Sequence, residues 1–212
     1  MSGLVQGRID NAFVKNLERF SPGATVEVNS PGGEEMAGLE AARVLRQRGY
    51  SVVVRARCIS ACADLLLAGA TSIVLDHAVI GFHGNPEMFE AFRQTKPETG
   101  PDTCKLPSVS LMRQLYAESG LNIDFWREMW IRMPKNTLAI IPGQFNSPGC
   151  ATVGQYGPTE MWLPTSIQLR DLMGLRFEGD VCADDPECVA YRLPQLIGRG
   201  RMVIVGDRMV RT

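Results

Sequence analysis

The stretch Glu27–Leu45, "EVNSPGGEEMAGLEAARVL", runs from a short strand through Asn29-Ser30-Pro31-Gly32-Gly33 into an amphipathic helix. A proline followed by two glycines leaves the main chain of this turn open to close approach. The helix expected over about 34–48 carries Ala37, Ala41, Val44 and Leu45 on one side, and Gly49 suits its C-terminal stop. Strand, open turn and helix in succession are the repeating pattern of α/β proteins.

The pattern extends to both sides. "LVQGRI" reads as a first strand, and Asp10 or Asn11 can cap a helix that sets Phe13, Leu17 and Phe20 on one face. "ATVEV" and the buried-type "SVVVRA" are further strands, and "ACADLLLAGA" is a short helix apolar all round. "TSIVL" and "AVIGF" read as two more strands, broken at Asp76-His77. This order predicts an α/β fold with mainly parallel pairing. Residues 84–108 and 134–159 read as irregular insertions. Between and after them come a helix from Ser108 to Glu118 stopped by Gly120, and one over about 123–133 with Ile123, Trp126, Trp130 and Met133 as a packing stripe. A helix through Met173 and a hairpin "RMVIVGDRMVR" turning at Gly206-Asp207 complete the chain. With 212 residues, 45% of them apolar, one domain over 1–212 is expected.

A net charge of −1 gives no general attraction to nucleic acid or anionic membrane. The arginines from Arg192 to Arg211 read as a solvated edge. No apolar run approaches the roughly 18 residues of a membrane span. No leader pattern is visible, so the chain is expected to be either cytoplasmic or exported with its leader removed. The Cys-x5-Cys and Cys-x3-Cys spacings fit no zinc pattern, so no metal is expected. An even six cysteines, several in polar loops, point instead to disulfides. Cys182–Cys188, closing the "ADDPE" turn, is the pair expected first, with Cys104 and Cys150 in other loops. Such a bond favours a periplasmic or secreted location.

Three stretches converge chemically. Asn29–Gly33 is one strand-to-helix turn, "CISAC" with Ser60 at its corner is the next, and "GFHG" puts His83 at a strand end. Parallel strands end along one edge, where sites form. A serine hydroxyl needs a base to become a nucleophile, and neutral imidazole is the usual base near pH 7. The chain has only two histidines, His77 and His83. The oxyanion formed on attack needs two N–H donors. The glycine turn and the residue after Ser60 could supply them.

From Val26 to His83 the chain resembles the ClpP/crotonase superfamily, specifically its Clp-protease-like serine peptidases. Those carry an "NSPGG" loop, a serine at a small-residue elbow followed by an "LLAAGA"-like helix, and a histidine on the next strand. Here the stretches are "NSPGG", "ISACADLLLAGA" and "AVIGFHG". Gly33 to Ser60 is 27 residues and Ser60 to His83 is 23, close to the family's separations. The resemblance implies a spiral of β-β-α units, Ser60 as nucleophile and His83 as general base. Gly33 and Ala61 would be the oxyanion-hole donors. It implies an ATP-independent peptidase working through an acyl-enzyme on a peptide or protein substrate, without cofactor, in a possible homo-oligomer. It is most similar to a periplasmic branch whose elbow also carries cysteine. The later "MWLPTSIQLRDLMGL" is similar to the family's "FLSAPEAVEYGL". The family's third triad residue has no clean counterpart, and Asp124, Asn136 and Glu160 are the candidates. This departure keeps open a Ser/His dyad or an inactive peptide-binding scaffold. A crotonase-type acyl-thioester enzyme and thiol chemistry at Cys58 or Cys62 are the other readings.

Overall fold

The computed structural model describes residues 2–83, 107–125, 128, 140–142, 151–153 and 161–212. Strands β1 (Ser2–Gln6), β2 (Thr25–Asn29), β3 (Ser51–Val54) and β5 (Ser72–Gly81) lie side by side in that order, every neighbouring pair parallel. Strand β9 (Glu178–Val181) adds parallel to β5. Parallel neighbours require crossovers, here α1 (Asn11–Leu17) and α2 (Glu35–Arg48). The Asp10 carboxylate caps α1 by accepting from the Phe13 amide at 2.9 Å, and α2 ends at Gly49 in the left-handed conformation. The mixed α/β fold with a mainly parallel sheet is the one expected from the sequence.

The sheet bends where the site forms. After β3 the chain turns at Arg55-Ala56 into β4 (Arg57–Ile59), which pairs with the far half of β5 from Arg57↔Val79 to Ile59↔Gly81. Strand β5 thus serves two ladders: β3 on its first half, β4 on its last. The expectation of two strands, "TSIVL" and "AVIGF", is corrected to one strand with an irregularity. The register against β9 shifts between Leu75 and Ala78, and His77 takes a φ of 47°. A bulge re-aims a strand without ending it. Arg192 is likewise not merely solvated, since its guanidinium donates to the carbonyls of His77 and Arg55 at this bend. Arg199, Arg201, Arg208 and Arg211 are exposed, as expected.

Strand β4 leads into α3, a π-helical turn (Cys62–Leu66) continued by Leu67–Gly69. All eight residues are buried, as the unbroken apolar sequence predicted, with Asp64 the one charged type among them. The helix packs against α2 and against α4 (Pro107–Ser119), whose Tyr116 hydroxyl donates to the Asp64 carbonyl at 2.9 Å. The two short strands β6 (Ile140–Pro142) and β7 (Ala151–Val153) pair antiparallel. A three-stranded sheet joins β8 (Met161–Leu163) to the expected hairpin of β10 (Met202–Val205) and β11 (Arg208–Arg211). It reaches the main sheet through Phe82 and Trp162, which exchange two backbone hydrogen bonds of 2.8 Å. The expected helix through Met173 opens with a Thr165–Gln168 capping box.

Two disulfides occur among the described residues. Cys182–Cys188 is the expected one, and Cys58–Cys62 flanks Ser60. They are compatible with an oxidising compartment. Cys104, Cys150, Trp126, Trp130, Asn136, Glu160 and most of both insertions lie outside the described residues. No described helix is long and apolar enough to cross a membrane. Replacing Cys182 and Cys188 together by Ala is expected to lower stability by about 2 kcal/mol, because the bond restricts the unfolded chain. Urea denaturation of the two proteins measures it, and equal midpoints and slopes would contradict it.

Candidate active site

The first glycine turn and the Ser60 corner are built against each other. The Ser30 amide donates to the Arg57 carbonyl at 2.9 Å, and the Ile59 amide donates to the Ser30 carbonyl at 3.1 Å. The loop therefore runs alongside β4. Gly32 has a φ of 92°, and a Cβ there would lie 2.5 Å from the Ile59 carbonyl oxygen and 2.6 Å from the Ser60 Cβ. Its bare backbone fits against the serine. The Gly32 amide is held by the buried Ser30 hydroxyl at 3.1 Å. Gly33 is pressed the other way, since its Cβ would meet the Ile9 carbonyl oxygen at 2.1 Å. Ile9 brackets it, donating to Gly32 and accepting from Glu34 at 2.9 and 2.8 Å.

Ser60 occupies a sharp strand-to-helix turn. Its φ of 56° is left-handed, which costs a residue with a Cβ about 1–2 kcal/mol. The neighbours compensate. The Ser60 amide donates to the Gly81 carbonyl and the Ser60 carbonyl accepts from the Asp64 amide, both at 2.8 Å. A strained serine on such a turn presents its hydroxyl away from the backbone. Ser60 remains half-buried rather than enclosed. Among the described residues, the amides of Gly33 and Ala61 donate to no backbone carbonyl, and Ala61 stands at the helix start where amides lack intrahelical partners.

His83 follows β5 two residues after Gly81, the residue that holds the Ser60 amide. The expected Ser60, Gly33 and Ala61 thus sit on adjoining turns at one end of the parallel strands, and His83 follows the end of β5. Burial pulls the His83 imidazole below its ordinary pKa of 6.5, so it is neutral at pH 7. His77 belongs elsewhere. It sits at the bend of β5, roughly 13 Å of strand before Gly81, with Nδ1 3.5 Å from Asp180 and 3.9 Å from Asp185. Asp124 is exposed. The adjacent Phe125 does pack on Phe82, ring centres 4.9 Å apart.

Two features have roles the sequence did not disclose. Cys58 and Cys62 are joined to each other, so neither is available as a thiolate, and the reading of thiol chemistry at either is corrected. The i, i+4 spacing across a strand-turn-helix corner was the available signal. Asp64 is the other, recognisable as one acid in an otherwise apolar helix. It is 4% exposed and its Oδ1 has no hydrogen-bond partner. Burial first, and Glu35 second, push its carboxyl well above the usual 3.8.

This acid predicts an unusual dependence of stability on pH. Above about pH 3.8 the unfolded chain releases the Asp64 proton while the folded chain keeps it. The unfolded state then binds fewer protons, so stability falls as pH rises until the folded group also ionises. The slope is at most about 1.4 kcal/mol per pH unit for one proton. Asp64→Asn is expected to flatten the stability profile above pH 4, measured by urea denaturation at several pH values. Parallel profiles for the two proteins would contradict an uncharged Asp64.

Among the described residues no cluster of His, Cys, Asp or Glu could hold a metal ion. No family model and no curated protein matches the chain. Among solved structures it is similar to the membrane-bound stomatin-specific protease 1510-N, solved as a point mutant, with 15% identity and a TM-score of 0.40. The match covers 57% of this chain and 64% of that one, less than two thirds of its length. It is also similar to a ClpP1 mutant from Listeria monocytogenes, with 15% identity and a TM-score of 0.38 over 56% of this chain and 71% of that one. At such identity and superposition neither likeness bears on the chemistry, and the α/β fold rests on the strand pairing itself.

Proposed function

We propose that the protein is a Clp-protease-like serine hydrolase, acting on peptides through an acyl-enzyme on Ser60. The observation that carries this is the elbow. A left-handed Ser60 is tied to Gly81, backed by the bare Gly32 backbone, and followed on the neighbouring strand end by a neutral His83. In this reading His83 takes the Ser60 proton as Oγ attacks the substrate carbonyl. The amides of Gly33 and Ala61 donate to the oxyanion. The intermediate collapses, His83 passes its proton to the departing amine, and water then cleaves the ester with His83 again as base. An extended substrate beside the glycine turn would bond as an added strand. The reaction consumes no cofactor or ATP. The disulfides favour a periplasmic or secreted setting, and self-association of the chain belongs to the same proposal.

The test is stopped-flow hydrolysis of a p-nitrophenyl ester. A burst of nitrophenol, with the acyl mass on the peptide containing Ser60, is expected. Because burial depresses the His83 pKa, the rate should rise with pH to a plateau through a midpoint below 6.5. Absence of both burst and turnover would favour a peptide-binding scaffold. A midpoint above 6.5 would remove His83 as the buried base. Asp124→Ala should leave turnover within a few-fold, since Asp124 is exposed to solvent.

A further inference from the structure

Cys58 lies two residues before Ser60 and Cys62 two after it. Both are fully buried. Cys58 is locked in β4 opposite Ile80, and also bridges to Ser30 of the glycine turn. Cys62 opens α3. Their bond joins strand to helix across Ile59, Ser60 and Ala61, with the Cα atoms 5.1 Å apart. The middle residue of this closed loop is the one in the left-handed conformation.

A residue in that conformation stays there only while its surroundings over-determine it. Around Ser60 the backbone hydrogen bonds among the described residues are few. The β4 ladder ends at Ile59, and beyond it the Ser60 amide and carbonyl make one bond each, to Gly81 and Asp64. The proposed chemistry makes no use of either sulfur. We infer that the Cys58–Cys62 disulfide is a clasp that positions the Ser60 hydroxyl and the Ala61 amide together, so that full hydrolytic activity belongs to the oxidised protein. The inference rests on the hydrolase reading for its activity, but not for its conformational content. Cys58 and Cys62 act through Ser60 and are positioning residues. The Cys182–Cys188 bond closes a turn after β9 and spans no candidate site residue, so it serves as the control.

The experiment compares wild type, the Cys58→Ala/Cys62→Ala double variant and the Cys182→Ala/Cys188→Ala double variant. Two readouts are taken on the full chain at equal folded concentration. One is the second-order rate of fluorophosphonate labelling, and the other is hydrogen exchange at the amides of Ser60 and Asp64. Loss of the elbow clasp is expected to slow labelling about 10- to 100-fold, as small misplacements of reacting groups do, and to speed exchange at the elbow. Loss of the other bond should lower stability and leave the labelling rate within a few-fold. If the elbow variant does not fold, wild type treated with dithiothreitol replaces it. There the dithiol passes two electrons and two protons to Cys58 and Cys62 and closes to its own cyclic disulfide. Labelling should fall and return on reoxidation. An unclasped protein that labels at the wild-type rate overturns the inference. A wild type that never labels overturns the hydrolase reading instead. The clasp is then decided by exchange, and equal elbow protection with and without the bond overturns it.

Discussion

Ser60→Ala is expected to abolish hydrolysis of ester and peptide substrates, a loss of about 10⁴-fold or more in turnover, with the fold retained. Removing one member of a nucleophile–base unit costs nearly as much as removing both. His83→Ala should therefore lose almost as much, and the double variant little more than either single one. Stability should change by no more than about 1–2 kcal/mol for Ser60→Ala, because the bonds that hold the corner use its backbone amide and carbonyl, which alanine keeps. His77→Ala is the matched control, as that ring sits at the bend of β5 beside Asp180 and Asp185. Its activity should stay within a few-fold of wild type. Initial rates of the four variants at equal folded concentration decide this, and turnover by Ser60→Ala within tenfold of wild type would contradict the assignment.

Gly32→Ala carries the second large effect. The new methyl would enter a space 2.5 Å from a backbone oxygen and 2.6 Å from the Ser60 Cβ. It would also sit on a residue whose φ is 92°, in the region that favours glycine. The obstructing atoms belong to the elbow itself, so relief can come only by moving Ser60 or the glycine turn. Strain and overpacking together are expected to cost about 2–5 kcal/mol. The folded fraction should react at least about 100-fold more slowly. Denaturation midpoint and labelling rate are the two measurements. Wild-type values for both would mean that the glycine turn does not press on the serine.

The strand and helix order was legible because buried strands and helices leave clear apolar patterns. Val26 and Val28 alternate inward along β2, and α3 is apolar at every position but Asp64. The bend of β5 was misread because Asp76-His77 looks like a stop, whereas hydrogen bonding through Ala78 carries the strand on. That Ser60 and His83 follow neighbouring strand ends was legible, because β4 and β5 run parallel and end together at Ile59↔Gly81. The Gly81 carbonyl that holds the Ser60 amide was not, since any residue has a carbonyl. The Cys58–Cys62 bond is not legible in the sequence, because only the corner geometry, not the spacing alone, brings those Cα atoms to 5.1 Å. A third residue to orient His83 was least legible. A carboxylate or amide acting at a distance in sequence leaves no periodic trace, and two of its three candidates, Asn136 and Glu160, lie outside the described residues.

Covalent labelling bears most directly on the central claim. Oxidised wild-type protein is incubated with a fluorophosphonate at pH values from about 6 to 9, where a histidine base is active, then digested and mapped by mass spectrometry. The account predicts one adduct per chain, on Ser60, lost in both Ser60→Ala and His83→Ala. An adduct on any other residue, or none at any pH in that range, would contradict it.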